Sequence, residues 1–188
     1  RMLAARSNVN GHHLMKGKLS HHEIAVLTKT AAKISESPLV IDEPSSMTPM
    51  ELHAIARHMK YKFGIKFLII DYLQLMHAKA DSRVHEVSKM SAAVKSVAKE
   101  LKIPVLVLSQ LSRRVETQDR SPRLSDLRDS GSIEQDADVV AFLDRKQGNM
   151  VHLIIAKHRN GPCGTIELEF IPSLTKFKTP ELNAVDTA

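Results

Sequence analysis

The sequence predicts an α/β fold, in which helices alternate with the strands of a mostly parallel sheet and antiparallel strands stand at the C-terminal end. Segments of helical periodicity separate short apolar runs, and this alternation is typical of the class. The runs Phe67–Ile70 and Val105–Leu108 are continuously apolar, as are strands buried on both faces of a parallel sheet. After residue 138 only short turns separate the apolar runs, which favours hairpins.

Periodicity and capping residues predict the first helices. Residues 2–9 place apolar side chains at helical spacing with no cap before them, so we expect the chain to be truncated within a helix at Arg1. Ser20–Glu23 is a capping box, in which the serine accepts from the N3 amide and the glutamate reaches back to the cap. Apolar residues continue at helical spacing behind it, which predicts a helix from about 20 to 35.

A short strand and two further helices follow. Leu39–Asp42 is a short apolar run that predicts a strand. Thr48–Glu51 is a second capping box, with proline at the first helical position, and predicts a helix to about Tyr61. From Val84 to Leu101 apolar residues recur every three or four positions, which predicts a long amphipathic helix.

Residues 111–138 predict a long functional loop with short helical pieces, because hydrophobicity falls there and Arg, Asp and Ser dominate. The arginines of this segment are Arg113, Arg114, Arg120, Arg123 and Arg128. One interpretation is contact with nucleic-acid phosphates, which would be salt-dependent and independent of sequence. The other is a solvated loop that balances its own charges. The low aromatic content, 4%, argues against base stacking as the main grip.

The last third of the chain predicts three strands, at 139–143 and near 150–157 and 164–171. We expect a single domain over residues 1–178, because a chain of 188 residues is too short for two ordinary domains. The remaining residues, 179–188, are expected to form a disordered C-terminal tail.

Two of the predicted strands end in polar residues, Asp71 and Gln110. Ligands of open α/β sheets bind at the carboxyl ends of the strands, so these side chains are candidates for one site. A carboxylate in this place suits a hydrated Mg²⁺, and an amide suits a γ-phosphate or an attacking water. The alternative is that Asp71 only begins a loop.

A third polar strand end carries two cations, Lys157 and Arg159. Alternation along the strand places them on one face and His158 on the other. A guanidinium and an ammonium together suit a group that stabilises charge on a transferring phosphoryl. A solvated strand end is the alternative.

Composition excludes several classes of protein. No apolar run approaches the roughly 20 residues of a membrane span, and the first residues have no signal-peptide core. A lone Cys163 cannot form an internal disulfide, which favours a reducing compartment, and we expect a cytoplasmic location. The formal net charge of +6 favours an acidic partner such as nucleic acid.

Four blocks of sequence resemble, in order, the DnaB-type replicative helicases. They are Asp71–Met76, Leu108–Arg113, Ser125–Asp138 and Lys157–Pro162, of which Ser125–Asp138 is the most specific. The resemblance covers about residues 1–172. It implies a RecA-like ATPase core that uses ATP and Mg²⁺, assembles as a ring-shaped homohexamer and moves 5′ to 3′ along single-stranded DNA. Primase and a helicase loader are implied as partners, and nucleoid association as location.

The resemblance also implies a role for each candidate residue. Asp71 resembles the Walker B metal ligand, and Gln110 the γ-phosphate sensor. Lys157 and Arg159 resemble finger residues that reach the nucleotide of a neighbouring subunit. Arg128, Asp129 and Gly131 fall where the family's central loop grips the DNA backbone, partly through main-chain amides. Asp129 departs from the commoner Glu by one methylene.

The family's Walker A loop and catalytic glutamate precede the position that matches Arg1. We therefore expect this chain alone to hydrolyse ATP negligibly. Two alternatives are a RecA- or RadA-like recombinase, which shares the fold but forms a filament, and a non-catalytic interaction module. The block from Arg128 to Asp138 favours the helicase.

Overall fold

The computed structural model of the chain describes residues 1–111 and 120–180, with residues 128–130 described by their backbone. The chain divides into two compact units. The terminal unit contains residues 1–39, 141–155 and 164–180, and the site unit contains residues 40–111, 120–140 and 156–163. Every residue that the sequence singled out as a site residue belongs to the site unit. The predicted tail lies mostly outside the described residues.

The terminal unit begins with three helices, α1 (Met2–Ser7), α2 (Gly11–Lys16) and α3 (His21–Ser35). α1 packs against α3. The predicted capping box of α3 is present, because Ser20 Oγ accepts from the Glu23 N–H at 3.2 Å and Glu23 Oε2 accepts from the Ser20 N–H at 2.8 Å. The helix predicted for residues 20–35 is therefore confirmed.

The site unit contains the next two helices, α4 (Pro49–Phe63) and α5 (Arg83–Leu101). The Thr48 N–H donates to Glu51 Oε2 at 2.7 Å and the Glu51 N–H donates to Thr48 Oγ1 at 3.3 Å, so the second capping box is also present. Both predicted helices are confirmed.

Two parallel strands flank α5 in sequence, β1 (Leu68–Ile70) and β2 (Val105–Val107). A short 3-10 helix, Leu73–Leu75, follows β1. The connection through a helix is the one that parallel neighbours require, and it confirms the predicted α/β class.

The core of the site unit lies between α4, α5 and one face of the strands. Leu52 and Ala56 of α4 meet Met90 and Val97 of α5, and all four are buried. The remaining buried members are Leu73, Met76, Val87 and Val94. Strand residues at alternating positions pack onto this cluster, so the core covers one face of each strand.

The prediction that these strands are buried on both faces is wrong. Ile69 and Leu106, which face away from the core, are 55% and 46% exposed. A continuous apolar run makes both faces of a strand suitable for burial. Burial also requires other elements to pack on each face, and within the described residues such elements pack on one face only.

The predicted strand at Leu39–Asp42 is absent, and the backbone there is irregular. Ile41 is exposed. A strand is stabilised by hydrogen bonds to a neighbouring strand, which local sequence cannot supply. An apolar run of this length therefore predicts only a preference for extended backbone.

The loop at 111–138 contains a 3-10 helix, Leu124–Ser130, and the short helix α6 (Gly131–Asp136), as the sequence predicts for its described part.

A second sheet follows, with the order β3-β4-β5-β6. Its strands are β3 (Val139–Arg145), β4 (Met150–His158), β5 (Gly164–Ile171) and β6 (Lys176–Lys178). β5 is antiparallel to both β4 and β6, which confirms the antiparallel C-terminal end. Among the described helices, none has the length and apolarity to cross a membrane.

Candidate functional site

Asp71 and Gln110 lie at the same edge of the parallel sheet. The last residues of β1 and β2 pair with each other. Beyond them, the Leu108 N–H donates to the Ile70 carbonyl at 2.9 Å, and the Leu73 N–H donates to the Leu108 carbonyl at 2.8 Å. The two segments therefore leave the sheet side by side, and the two polar residues that the sequence singled out come to one place.

Gln74 holds this edge together. Its Nε2 donates to Ser109 Oγ at 3.1 Å and to the Gln110 carbonyl at 3.3 Å, while its Oε1 accepts from the Gln110 N–H at 3.3 Å. The side chain thus fixes the backbone of Gln110, whose own side chain is exposed. Sequence reasoning gave Gln74 no role, because its spacing from Asp71 in a 3-10 turn has no distinctive pattern.

Asp71 presents an exposed carboxylate at the end of β1, and the peptide bond that follows it is cis. Mg²⁺ at phosphate sites takes one or two carboxylates and completes its shell with water and substrate oxygens. One accessible carboxylate beside an accessible amide fits that requirement. Clusters of three or more His, Cys, Asp or Glu side chains able to hold a metal are absent from the described residues.

Lys157 and Arg159, at the end of β4, both contact the segment from Glu134 to Asp138. Lys157 Nζ donates to the Glu134 carbonyl. The guanidinium of Arg159 donates to Asp138 Oδ1 at 2.9 Å and to the Gln135 carbonyl at 3.4 Å. The two cations thus meet the same neighbouring segment. The Arg159 side chain remains 52% exposed, so its ion pair is accessible to solvent.

Asp138 joins β4 to α5. Its Oδ2 accepts from Lys95 Nζ at 2.7 Å while its Oδ1 accepts from Arg159. The hydrogen bond from Lys95 is the main cause that lowers the pKa of the Asp138 carboxyl, and the nearby charges of Lys95, Arg159 and Lys157 lower it further. Asp138 is therefore a carboxylate at neutral pH. Its contact with Lys95 spans 43 residues and left no signal in the sequence.

The turn after Arg159 is shaped by Gly161. A Cβ on Gly161 would lie 2.3 Å from Cε1 of His158. His158 Nδ1 lies 3.3 Å from the Pro162 carbonyl, a hydrogen bond in the tautomer that carries the proton there. The imidazole thus occupies the space that a side chain at 161 would need, so any residue larger than glycine requires this exposed ring to shift.

Part of the arginine-rich loop is structural. Arg120 donates two hydrogen bonds to Asp126, at 2.9 and 2.7 Å, and the Arg123 N–H donates to the same carboxylate at 2.7 Å. These bonds, with that from Arg120 first, lower the pKa of Asp126 to about 2. For Arg120 the structure therefore supports a loop that balances its own charges. Arg113 and Arg114 lie outside the described residues.

The three residues assigned to DNA contact lie where two short helices meet. Arg128 and Asp129 belong to the 3-10 helix and Gly131 begins α6. Gly131 has right-handed helical dihedrals, φ −53° and ψ −27°. A Cβ placed on it would meet no atom of the described residues within 4 Å. Neither backbone conformation nor internal packing therefore explains glycine at this position.

The candidate residues form two groups in the site unit. Asp71, Gln74 and Gln110 make up one group, and Lys157 and Arg159 with their partners on 134–138 make up the other. Within residues 1–111 and 120–180, hydrogen bonds and ion pairs that join the two groups are absent. Hydrogen bonds therefore connect Gln74 with Gln110 in the first group, and connect Lys157 and Arg159 with segment 134–138 in the second.

Comparison with known proteins identifies the family. The sequence model of the DnaB-like helicase C-terminal domain matches residues 1–179. The chain belongs to this family. This is the family that the four sequence blocks resemble. The comparisons support neither the recombinase nor the non-catalytic module.

Characterised members of the DnaB-like family resemble the chain over nearly all its length. It is 43% identical to the replicative DNA helicase DnaB of Geobacillus stearothermophilus over 94% of the chain and 42% of the relative. It is equally identical, over the same shares, to the replicative DNA helicase DnaC of Bacillus subtilis strain 168. The chain therefore spans less than half the length of these relatives.

Two solved structures share the fold. One, described as an ATPase domain, superposes with a TM-score of 0.89 and 37% identity, covering 96% of the chain and 69% of that structure. The other, a DnaB-like replicative helicase studied for its interactions with primase, superposes with a TM-score of 0.87 and 36% identity, covering 94% of the chain and 46% of that structure. The fold is thus the RecA-like α/β fold of DnaB ATPase domains.

Proposed function

We propose that this chain is the C-terminal portion of the motor domain of an ATP-dependent replicative DNA helicase that moves 5′ to 3′ along one DNA strand. The observation that carries the proposal is the meeting of Asp71 and Gln110 at one edge of a parallel sheet, in a chain of the DnaB-like family. Ligands of such sheets bind at this edge.

Asp71 holds a hydrated Mg²⁺ in this proposal, and Gln110 donates a hydrogen bond to the γ-phosphate or orients the attacking water. ATP with its Mg²⁺, when bound, supplies the phosphoryl group that is transferred to water. Gln74 positions Gln110 through the backbone, so that the amide is held beside the metal ligand before nucleotide arrives.

Lys157 and Arg159 act on the nucleotide of a neighbouring subunit in a ring of six copies. Two features support this. Within the described residues their contacts are separate from the Asp71 group, and the Arg159 guanidinium is half exposed. A cation that approaches the phosphates from a second subunit stabilises the charge that spreads over the phosphoryl oxygens during transfer.

Arg128, Asp129 and Gly131 contact the backbone of single-stranded DNA in the channel of the ring. The open space beside Gly131 supports this, since glycine lets a phosphate approach the main chain closely. The bond between Arg120 and Asp126 holds the preceding turn in place.

Primase and a helicase loader are the partners that we propose for the ring, with a cytoplasmic, nucleoid-associated location. One structural relative is described with its interactions with primase. For this protein the same interaction is a proposal.

Asp71→Asn in the full-length protein tests the function. It keeps the shape of the side chain and removes the charge that holds the metal, so ATP hydrolysis is expected to fall by about 100-fold or more, and unwinding of a fork with a 5′ tail to be lost. The matched control is Asp81→Asn at another exposed acid, which should leave both activities unchanged. Undiminished hydrolysis by Asp71→Asn, or unwinding that needs a 3′ tail, would contradict the proposal.

A further inference from the structure

The end of α4 carries an exposed basic and aromatic surface. No acidic residue occurs between Glu51 and Asp71, whereas residues 57–66 contain four basic residues, Arg57, Lys60, Lys62 and Lys66. Of the two tyrosines and five phenylalanines in the chain, three lie within the seven residues from 61 to 67. We call the residues Tyr61, Lys62, Phe63, Lys66 and Phe67 the basic–aromatic patch.

The local backbone presents the patch to solvent. α4 ends at Phe63, and Gly64 takes the left-handed conformation, φ 63°, so that the chain turns back toward β1. Lys60 Nζ donates to the Ile65 carbonyl at 3.1 Å and secures this turn. Tyr61 is 94% exposed, and Phe63 and Phe67 are each about half exposed.

The charges of the patch are not neutralised within the described chain. Arg57, one turn earlier on α4, is paired with Glu100 of α5. Lys62 and Lys66, by contrast, have no carboxylate within ion-pair distance among the described residues. Lys62 Nζ instead lies 5.1 Å from the centroid of the Phe63 ring, an exposed cation–π contact.

This combination favours one kind of partner. Protein interfaces bury aromatic residues but are depleted in lysine at their centres, so unpaired lysines among the rings disfavour a protein partner. Single-stranded nucleic acid offers phosphates for the lysines and base faces for the rings, at spacings that tolerate any sequence.

We propose that the basic–aromatic patch is a second binding surface for single-stranded nucleic acid, separate from the segment 128–131. The ring of Tyr61 stacks on a base, and Lys62 and Lys66 contact flanking phosphates. The surface takes no part in nucleotide chemistry, so the inference can fail while the proposed function stands.

Affinity measurements on the full-length protein, with fluorescently labelled oligo(dT) as the probe, test the stacking. They are made in an Arg128→Ala background, so that the remaining affinity reports on other surfaces. Tyr61→Ala is expected to weaken binding by about tenfold, and Tyr61→Phe, which keeps the ring, to bind as its parent does. Equal binding by Tyr61→Ala and its parent overturns the proposal.

The salt dependence of binding tests the lysines. Lys62→Ala with Lys66→Ala is expected to reduce the slope of log affinity against log salt by about 1.4, since each phosphate contact on a single strand contributes about 0.7. Lys29→Ala with Lys33→Ala removes two exposed lysines from α3 and should leave the slope unchanged. Equal slopes for the two double variants overturn the proposal.

Crosslinking and measurements of oligomer size distinguish nucleic-acid binding by the patch from a contact between copies of the chain. A 4-thiothymidine oligonucleotide is expected to crosslink to the peptide that contains Tyr61, and thermal melting confirms that each variant folds. If the patch variants dissociate the oligomer in mass photometry and the crosslink is absent, the surface is a contact between copies of the chain and the proposal is wrong.

Discussion

At the scale of single residues, the turn after β4 depends on the small size of Gly161. Its missing side chain leaves room for His158, whose Cε1 would lie 2.3 Å from an added Cβ. Gly161→Ala is therefore expected to displace the exposed imidazole from the Pro162 carbonyl and to destabilise the domain by about 1 kcal/mol, the contribution of one hydrogen bond, measured by chemical denaturation.

Gly164→Ala is the matched control, because a Cβ there meets no atom of the described chain within 4 Å and the backbone is not left-handed. It should change stability by no more than about 0.5 kcal/mol. Equal stability of the two variants would show that His158 moves aside without cost.

At the scale of elements, the segment before α6 is held by the bond between Arg120 and Asp126. The pKa of Asp126 is lowered from 3.8 to about 2, so the bond stabilises the folded state above about pH 4, and that contribution is lost as the pH falls toward 2. Asp126→Asn is expected to speed amide exchange in residues 120–131 at neutral pH. Asp42→Asn, at another exposed acid, should not, and an unchanged exchange rate in Asp126→Asn would show that the bond does not order the segment.

The start of α6 allows structure and DNA contact to be separated. Gly131 has helical dihedrals and open space around its Cα, so Gly131→Ala should leave stability unchanged or raise it by up to about 1 kcal/mol. If a DNA phosphate approaches the main chain there, the same change weakens single-stranded DNA binding. Arg128→Ala should weaken it too and lower the salt slope by about 0.7, the contribution of one phosphate contact on a single strand. Normal binding by Gly131→Ala would place the contact elsewhere.

Elements whose signals are local could be predicted from the sequence. Both capping boxes fixed the starts of α3 and α4, because the cap and its glutamate lie three residues apart. The strand predicted at Leu39–Asp42 failed because its stability depends on a partner that local sequence does not specify. The same limit applies to Ile69, whose exposure depends on what packs over the sheet and not on its own side chain.

At the scale of the whole molecule, the sequence pointed to candidate site residues but not to the contacts that hold them. Strand ends marked Asp71, Gln110 and Arg159, because a polar residue after an apolar run is visible in the sequence. Gln74 and Lys95 were missed, since their partners lie 36 and 43 residues away and only the folded chain brings them together.

The proposed role of Arg159 is tested in the assembled ring. Arg159→Ala in the full-length protein should reduce hydrolysis on the order of 10³-fold and largely spare nucleotide binding. If the arginine acts on a neighbour's nucleotide, as proposed, mixed rings should lose more activity than dilution accounts for. Arg145→Ala, at an exposed arginine that ends β3, is the control. A loss proportional to the mutant fraction would assign Arg159 to its own subunit.

The two cations on Asp138 have a consequence for any movement of Arg159. Were Arg159 the only partner, its departure toward a phosphate would strand a lone negative charge, and the electrostatic penalty would oppose the motion. Lys95 remains on the second oxygen of the carboxylate, so the acid stays compensated whether the guanidinium is docked or withdrawn. The arginine can therefore move from Asp138 to a phosphate at little electrostatic cost, while the Lys95–Asp138 pair still ties α5 to the residue before β3.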